Sequence, residues 1–428
     1  MGRGVYKQPG GKLVGVTARL RDEYCHIDGD FFIDGNEDRA HEMLLDIERT
    51  LVAGRSICDI PQQYPDVALV GMTMQGIETA FRRAVTQDDP VPQERESQTS
   101  LPRIASSRAS HHTPTGDEFG ELTAVECAAR WRSLKPTVLH DAPRSPQEQM
   151  DTDLQWAREV AAGSRKATLR IWEWAAPAVV IGRFQSLPDE VNEQAAQAEG
   201  IQIVRRCTGG GAMFIEPGNT ITYSLYAPLD FAKGVSIEGS YRLCDYWLVT
   251  ALRELGLDVR FTGLNDIASQ YGKIGGAAQR RFPPIDTGPG AILHHVTLAY
   301  DIDGEKMMRV LHVSREKMSD KAVKSAVKRV DPMRSQTGMS RDVVVNHLIA
   351  AARDGDEDAI ENLTLEDIDT YSLLSKRITH EDVLSIVDTY FMPYGIESDQ
   401  YSVLGEIMDV TLLQNRFTEE NVYSMEIM

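Results

Sequence analysis

Cysteine is scarce: Cys25, Cys58, Cys127, Cys207 and Cys244 are the five in 428 residues. The number is odd and no CxxC spacing occurs. A disulfide framework or a cysteine zinc site is therefore not expected, and a reducing cytosol is the simplest setting. No run of 18 apolar residues exists, so nothing is expected to span a membrane. The opening stretch MGRGVYKQPGGKLVGV lacks the apolar segment of a signal peptide. Lysine is scarce too, with 12 residues against 33 arginines, and 64 acidic residues outnumber the 45 basic ones for a net charge of −19. That balance argues against general nucleic-acid or anionic-membrane binding. Acidity with few lysines suits a salt-rich cytoplasm, so a halophilic, archaeal source is the expectation.

What is present is length and apolar content. At 428 residues and 42% hydrophobic, the chain has room for two or three domains with real cores. Residues 1–86 read as a small α/β module. Val14, Val16, Ala18 and Leu20 alternate as in a half-buried strand, Asp28-Gly29-Asp30 supplies a turn before Phe31-Phe32-Ile33, and Ala40, Leu44, Ile47 and Leu51 recur at helical spacing. A second helix is expected at 77–85. Residues 87–117 are rich in Ser, Pro, Gln and charge and read as a flexible linker. His111-His112 lies inside it, off any ordered element, and is not expected to bind metal.

Residues 118–335 read as the main domain. Met150, Leu154, Ala157 and Ala161 mark a helix face, and strands are expected at 169–174, 178–181, 201–204, 221–226 and 292–302. A helix is expected over 240–255 and a hairpin over 267–276, around Tyr271-Gly272. Many connections are too short for βαβ crossovers, so the expected class is α+β with mixed or antiparallel sheet pairing. Residues 336–428 are expected to be mainly helical, with an acidic stretch at 353–370.

Three constellations carry chemistry. The first is Arg205-Arg206-Cys207-Thr208-Gly209-Gly210-Gly211-Ala212-Met213-Phe214, between two strand-like runs. Three glycines let backbone approach a ligand closely, and two arginines offer forks of donors for carboxylate or phosphate. The pocket implied is one for a small anion. The second is Asn265-Asp266 followed by Gly272-Lys273-Ile274-Gly275-Gly276-Ala277-Ala278. A lysine among glycines can reach an anionic group while the ligand packs on backbone. The third is His294-His295-Val296-Thr297-Leu298. Neighbours on a strand face opposite sides, so one histidine is expected packed and the other exposed.

In this order, the three pieces resemble the lipoate–protein ligase family (biotin/lipoate ligase catalytic domain) across about residues 128–395. Val179-Val180-Ile181-Gly182-Arg183-Phe184-Gln185 upstream also fits, as do Ser325-Ala326-Val327-Lys328-Arg329-Val330 and Ile378-Thr379-His380-Glu381-Asp382-Val383 downstream. Residues 12–51, with Gly29-Asp30-Phe31-Phe32, resemble the accessory domain of these ligases, here fused at the N-terminal side, which similar ligases need for activation. The resemblance implies an ATP-dependent enzyme that activates lipoate as lipoyl-AMP and transfers the lipoyl group to a lysine of a lipoyl domain. Such acceptors are a 2-oxoacid dehydrogenase E2, a glycine-cleavage H protein or a similar carrier. It implies ATP and Mg²⁺, lipoate or octanoate as substrate, and no nucleic-acid or membrane partner. Lys273 would contact the lipoyl carbonyl and the α-phosphate. Arg205, Arg206, Gly209, Gly210, Gly211, Ala212, Met213, Phe214, Asn265, Asp266, Gly275, Ala277, His295 and Thr297 would bind the nucleotide and adenylate, with Asp266 toward Mg²⁺. Many members carry histidine where this chain has Ile215, so a nucleotide contact is expected to be missing there. Two alternatives stay open: an ATP-independent octanoyl or lipoyl transferase of the same fold, which uses a cysteine nucleophile, and a non-catalytic lipoyl-adenylate binder.

Overall fold

The computed structural model describes residues 1–9, 11–88, 121–312 and 332–353, and the strand segments 378–379, 410–414 and 422–427. Residues 89–117 of the expected linker, the acidic stretch beyond 353 and the 325–330 motif lie outside the described residues.

The N-terminal module begins with an antiparallel sheet of β1 (Gly2–Lys7), β2 (Leu13–Arg19) and β3 (Tyr24–Gly29). A short pair follows, β4 (Phe32–Gly35) with β5 (Val67–Val70). The helix Glu37–Val52 is capped by Asn36, whose side chain accepts from the amides of Asp38 and Arg39. It buries Ala40, Met43, Ile47 and Leu51 against Val14, Val16 and Ile27 of the sheet. The helix Met74–Asp88 adds Ile77 and Ala80 to the same core. The second helix matches the periodicity, and β2 matches it through Ala18; Leu20 falls in an exposed 3₁₀ turn, and the first helix buries Met43 in place of Leu44. β1 is additional, because its buried positions are Gly2 and Gly4, which leave no apolar alternation to read.

The main domain carries ten strands: β6 (Thr137–Arg144), β7 (Thr168–Trp174), β8 (Ala178–Ile181), β9 (Gln202–Arg205), β10 (Met213–Ile215), β11 (Thr220–Pro228), β12 (Val259–Thr262), β13 (Asp266–Ser269), β14 (Gly272–Phe282) and β15 (Ala291–Ala299). Seven form one sheet in the order β12-β13-β14-β15-β11-β7-β6, antiparallel except for β6 with β7. A smaller sheet runs β10-β8-β9, with β8 and β9 parallel. The class is α+β with a mixed sheet, as expected. The helix Pro146–Ala161 opens on a capping box of Ser145 and Glu148. The single helix expected over 240–255 is two, Ile237–Cys244 and Tyr246–Glu254. Asp245 sits at the break, and its carboxylate accepts from Tyr223 Oη at 2.6 Å and meets His294 Nε2 at 2.7 Å. Trp247 is core. The helix Arg341–Arg353 buries Val344, Val345, Leu348 and Ile349 in that core, so the domain continues past the expected boundary at 335. Beyond it, the described segments 378–379, 410–414 and 422–427 pair as a three-stranded sheet.

The N-terminal module docks on the loops around β8 and β9. Phe31 stacks on Phe184 with centroids 4.9 Å apart, and the Gly29 amide donates to the Phe184 carbonyl at 2.9 Å. Glu37 takes Arg183 at 2.6 Å and also Arg280, while Arg281 lies 3.3 Å from Asp34. This docking places the start of β2 beside the β13–β14 hairpin.

Candidate active site

β9 runs into the glycine turn at Arg206, whose side chain is 4% exposed. Its guanidinium donates to Thr208 Oγ1 (3.0 Å), to the carbonyls of Gly209 (2.6 Å) and Gly211 (2.8 Å), and to that of Val180 (3.3 Å). No carboxylate is among these partners. Burial pulls its pKa down to about 10, so it is still a cation at neutral pH. A buried cation held only by carbonyls and a hydroxyl lacks the counter-charge that offsets desolvation, and an anionic ligand would supply it. Arg205 turns the other way. It donates to the carbonyls of Gly182, Arg183 and Gln185 at 2.7, 3.0 and 2.8 Å and so fixes the loop on which Phe31 stacks.

The three glycines have separate jobs. A Cβ on Gly209 would lie 2.3 Å from the Phe31 carbonyl oxygen and 3.0 Å from Phe32 Cδ1. Gly210, at φ +91°, faces Phe32 and the Arg206 guanidinium. A Cβ on Gly211 would meet nothing within 4 Å. Two of the glycines therefore make room for the docked module and the arginine, and only the third is open.

The opposite wall is the β13–β14 hairpin. Lys273 Nζ pairs with Asp266 Oδ1 at 2.8 Å, and both side chains are partly exposed. A Cβ on Gly276 would stand 2.8 Å from that ammonium, so the glycine leaves the space in which Lys273 lies. Asn265 donates through Nδ2 to the Ala277 carbonyl, and its own carbonyl accepts from the Ala277 amide at 2.8 Å. Its Oδ1 accepts from Lys12 Nζ of the N-terminal module at 2.9 Å.

Between the walls is a cavity of about 320 Å³. Of the residues expected there, Arg206, Gly210, Gly211, Ala212, Met213, Phe214, Asn265, Asp266, Lys273, Gly275, Ala277, His295 and Thr297 line it. Arg205 and Gly209 do not; they hold the loop and the domain contact just described. Lys12 and Asp30 also line it, and Ile302, Met307 and Leu311 add apolar surface. These five were missed because each lies far in sequence from the glycine turn or in a segment without a chemical pattern. The one signal was the Gly-Asp-Phe-Phe run, which placed Asp30 in a recognisable turn without showing where it docks.

The histidine pair corrects an expectation: both are buried, His294 at 0% and His295 at 4% exposure. They do face opposite sides, and a buried aspartate meets each. His295 Nδ1 lies 2.7 Å from Asp153 Oδ2, and its Nε2 lies 2.7 Å from Thr208 Oγ1. A consistent chain of donors runs from Arg206 Nε through the Thr208 hydroxyl and His295 to Asp153. Both ring nitrogens are thus committed, and His295 positions the arginine turn instead of offering a polar atom to a nucleotide. Burial lowers its pKa, which keeps the ring neutral. Asp153 also accepts from Ser224 Oγ at 2.8 Å and Tyr226 Oη at 2.5 Å. Asp153→Ala leaves those groups without their acceptor and removes a carboxylate 3.7 Å from the buried Arg170, which keeps Asp141 and Gln149. It is expected to destabilise the protein by about 3–5 kcal/mol in urea unfolding, whereas Asp153→Asn retains much of the network.

Ile215 is also revised. Its side chain is fully buried with Met150, Trp172, Trp174, Val180 and Val204 and does not line the cavity. None of the five cysteines lines it either. Burial raises the Cys207 thiol to about 11, away from the thiolate a nucleophile needs.

A mixed-sheet domain with a cation-lined cavity is the frame in which the chain's likeness to known proteins falls. A family model described as the lipoyl protein ligase A/B catalytic domain matches residues 145–353, and one for a domain of unknown function matches 324–428. The chain is 30% identical over 253 residues to an octanoyltransferase LipM from Exiguobacterium, covering 54% of this chain and 87% of that protein. It is 31% identical over 154 residues to the lipoate–protein ligase LplJ of Bacillus subtilis, covering 36% of this chain and 43% of the ligase. The solved structure of an archaeal bi-partite lipoate protein ligase with its E2 lipoyl domain, from Thermoplasma acidophilum, is 29% identical with a TM-score of 0.41, over 51% of this chain and 82% of that one. The chain is an enzyme of the ligase or acyltransferase kind. It belongs to the lipoyl protein ligase A/B family.

Proposed function

We propose that the protein is an ATP-dependent lipoate–protein ligase. One observation carries the reading: the cavity brings the buried, counter-charge-free Arg206 and Lys273 against an open glycine turn, and no thiol faces it. Activation brings a carboxylate and a triphosphate together, and fixed cations offset that repulsion and the charge that develops at the α-phosphorus. A carboxylate oxygen of lipoate forms the new bond to the α-phosphorus as the bond to pyrophosphate breaks. The ε-amine of an acceptor lysine then attacks the carbonyl of the adenylate and AMP leaves. The apolar wall of Ile302, Met307 and Leu311 suits the dithiolane-bearing or octanoyl chain. Asp266 and Asp30 bring carboxylate oxygens to the same cavity, the donor chemistry Mg²⁺ takes beside phosphates; bound there with ATP, it would neutralise phosphate charge. The acceptor is a lipoyl domain, the partner named with the Thermoplasma ligase.

The name of the Exiguobacterium relative favours a second reading, octanoyl transfer without ATP, but that chemistry needs a cysteine at the acyl group. Incubation with lipoate, ATP·Mg²⁺ and a lipoyl domain separates the two. Lipoate-dependent pyrophosphate release with a lipoyl mass gain on the acceptor is expected. Transfer from an octanoylated donor without ATP would overturn the ligase, and tight adenylate binding without turnover would leave only a binder.

A further inference from the structure

We propose that Lys12, carried into the cavity by the N-terminal module, is a third cationic contact for the phosphates of ATP, and that it serves activation and not transfer. The inference rests on the ligase reading above. Lys12 stands at the start of β2, where its backbone amide donates to the Gly71 carbonyl at 2.6 Å. The next residue is clamped twice: the Leu13 amide donates to the Asp30 carboxylate, and the Asp30 amide donates to the Leu13 carbonyl at 3.1 Å. The side chain is therefore aimed by fixed backbone. It passes over the Phe32 ring, 5.0 Å from ammonium to centroid, and reaches Asn265 Oδ1 at 2.9 Å.

An ammonium has three donors, and this hydrogen bond to a neutral amide uses one. The charges that face it are Asp266 and Asp30, with Lys273 and Lys7 opposing them. Burial outweighs the two carboxylates and draws its pKa down to about 8. A buried ammonium in this position is under-compensated, as Arg206 is on the facing wall, and both line one cavity with Lys273. Three cations, Arg206, Lys273 and Lys12, face one space with two carboxylates, Asp266 and Asp30; with those carboxylates turned to Mg²⁺, the three cations are left for the oxygens of a triphosphate. The β- and γ-phosphates leave as pyrophosphate before the acceptor lysine attacks. A contact to them is then spent in the first half-reaction. This gives a residue-level reason for a module outside the catalytic domain to act in one half of the reaction.

The test uses the full chain with Lys12→Met and Lys12→Arg. Lipoate-dependent exchange of labelled pyrophosphate into ATP reports activation, and reaction of preformed lipoyl-adenylate with a lipoyl domain reports transfer. Lys12→Met is expected to lower exchange about 100-fold, the scale of one lost charge-stabilising donor, and to leave transfer within about twofold, which also shows that the variant is folded. Lys12→Arg is expected to recover exchange to within about tenfold of the wild type, because the charge returns with altered geometry. Equal losses in both assays, or no loss in exchange, would overturn the role of Lys12 alone. So would a lipoyl adduct on Lys12 in the absence of acceptor, which would make it an acyl carrier. A wild type without exchange would overturn the ligase reading and this inference together.

Discussion

Lys273→Ala is expected to lower lipoate-dependent pyrophosphate release by about 10³-fold, near 4 kcal/mol of transition-state stabilisation. Two effects add. The ammonium that would meet both the acyl oxygen and the α-phosphate is gone. The Asp266 carboxylate, which Lys273 holds at 2.8 Å, also loses the partner that fixes it where Mg²⁺ would bind with ATP, so the KM for ATP rises as kcat falls. Folding is the control. Both partners are about two-fifths exposed, and such a pair contributes about 0–1 kcal/mol, so the unfolding midpoint is expected to be nearly unchanged. A large loss of stability would mean that the lysine is structural. A full rate in the variant would remove it from the chemistry.

Gly209→Val is expected to separate the half-reactions by loosening the domain contact. The first side-chain atom alone would lie 2.3 Å from a backbone oxygen of Phe31. Backbone cannot swing aside as a flexible side-chain tip can, so the N-terminal module must shift. Lys12 and Asp30 shift with it. Activation is expected to fall about 100-fold, as for loss of one fixed charge contact, while transfer from preformed lipoyl-adenylate falls less than about tenfold. Gly211→Ala is the contrast, since its added atom meets nothing and the docked module is expected to stay in place. Measuring both half-reactions for both variants, with proteolytic sensitivity of the 1–86 module alongside, checks the claim. Equal proteolytic sensitivity of the module in the two variants would contradict it.

Much of the main domain was legible because its strands alternate cleanly or bury both faces. β8 and the β13–β14 hairpin stand where apolar runs and Tyr271-Gly272 place them. The glycine turn and the Lys273 hairpin were legible as the pieces that line one cavity, because three glycines in one turn and a lysine among glycines leave space beside backbone. Three things were not. The break at Asp245 serves buried polar partners, Tyr223 and His294, and those are set by tertiary pairing rather than by helix periodicity. The pair His294-His295 could not be read because what each meets, Asp245 or Asp153, comes from elsewhere in the chain. Nothing beside Lys12 in the sequence points to the cavity, and only docking across more than 250 residues of sequence brings it to Asn265. The triple glycine was read as space for a ligand, and two of its members turn out to be space for the neighbouring module.

In the ligase reaction proposed above, the carboxylate of lipoate attacks the α-phosphorus of ATP in the cavity between Arg206 and Lys273. Lipoate labelled with ¹⁸O in both carboxylate oxygens tests it directly, by mass spectrometry of the AMP formed on transfer to a lipoyl domain. AMP carrying one ¹⁸O and an amide that retains the other are expected. Unlabelled AMP, formation of ADP in its place, or acceptor acylation that proceeds without ATP would contradict it.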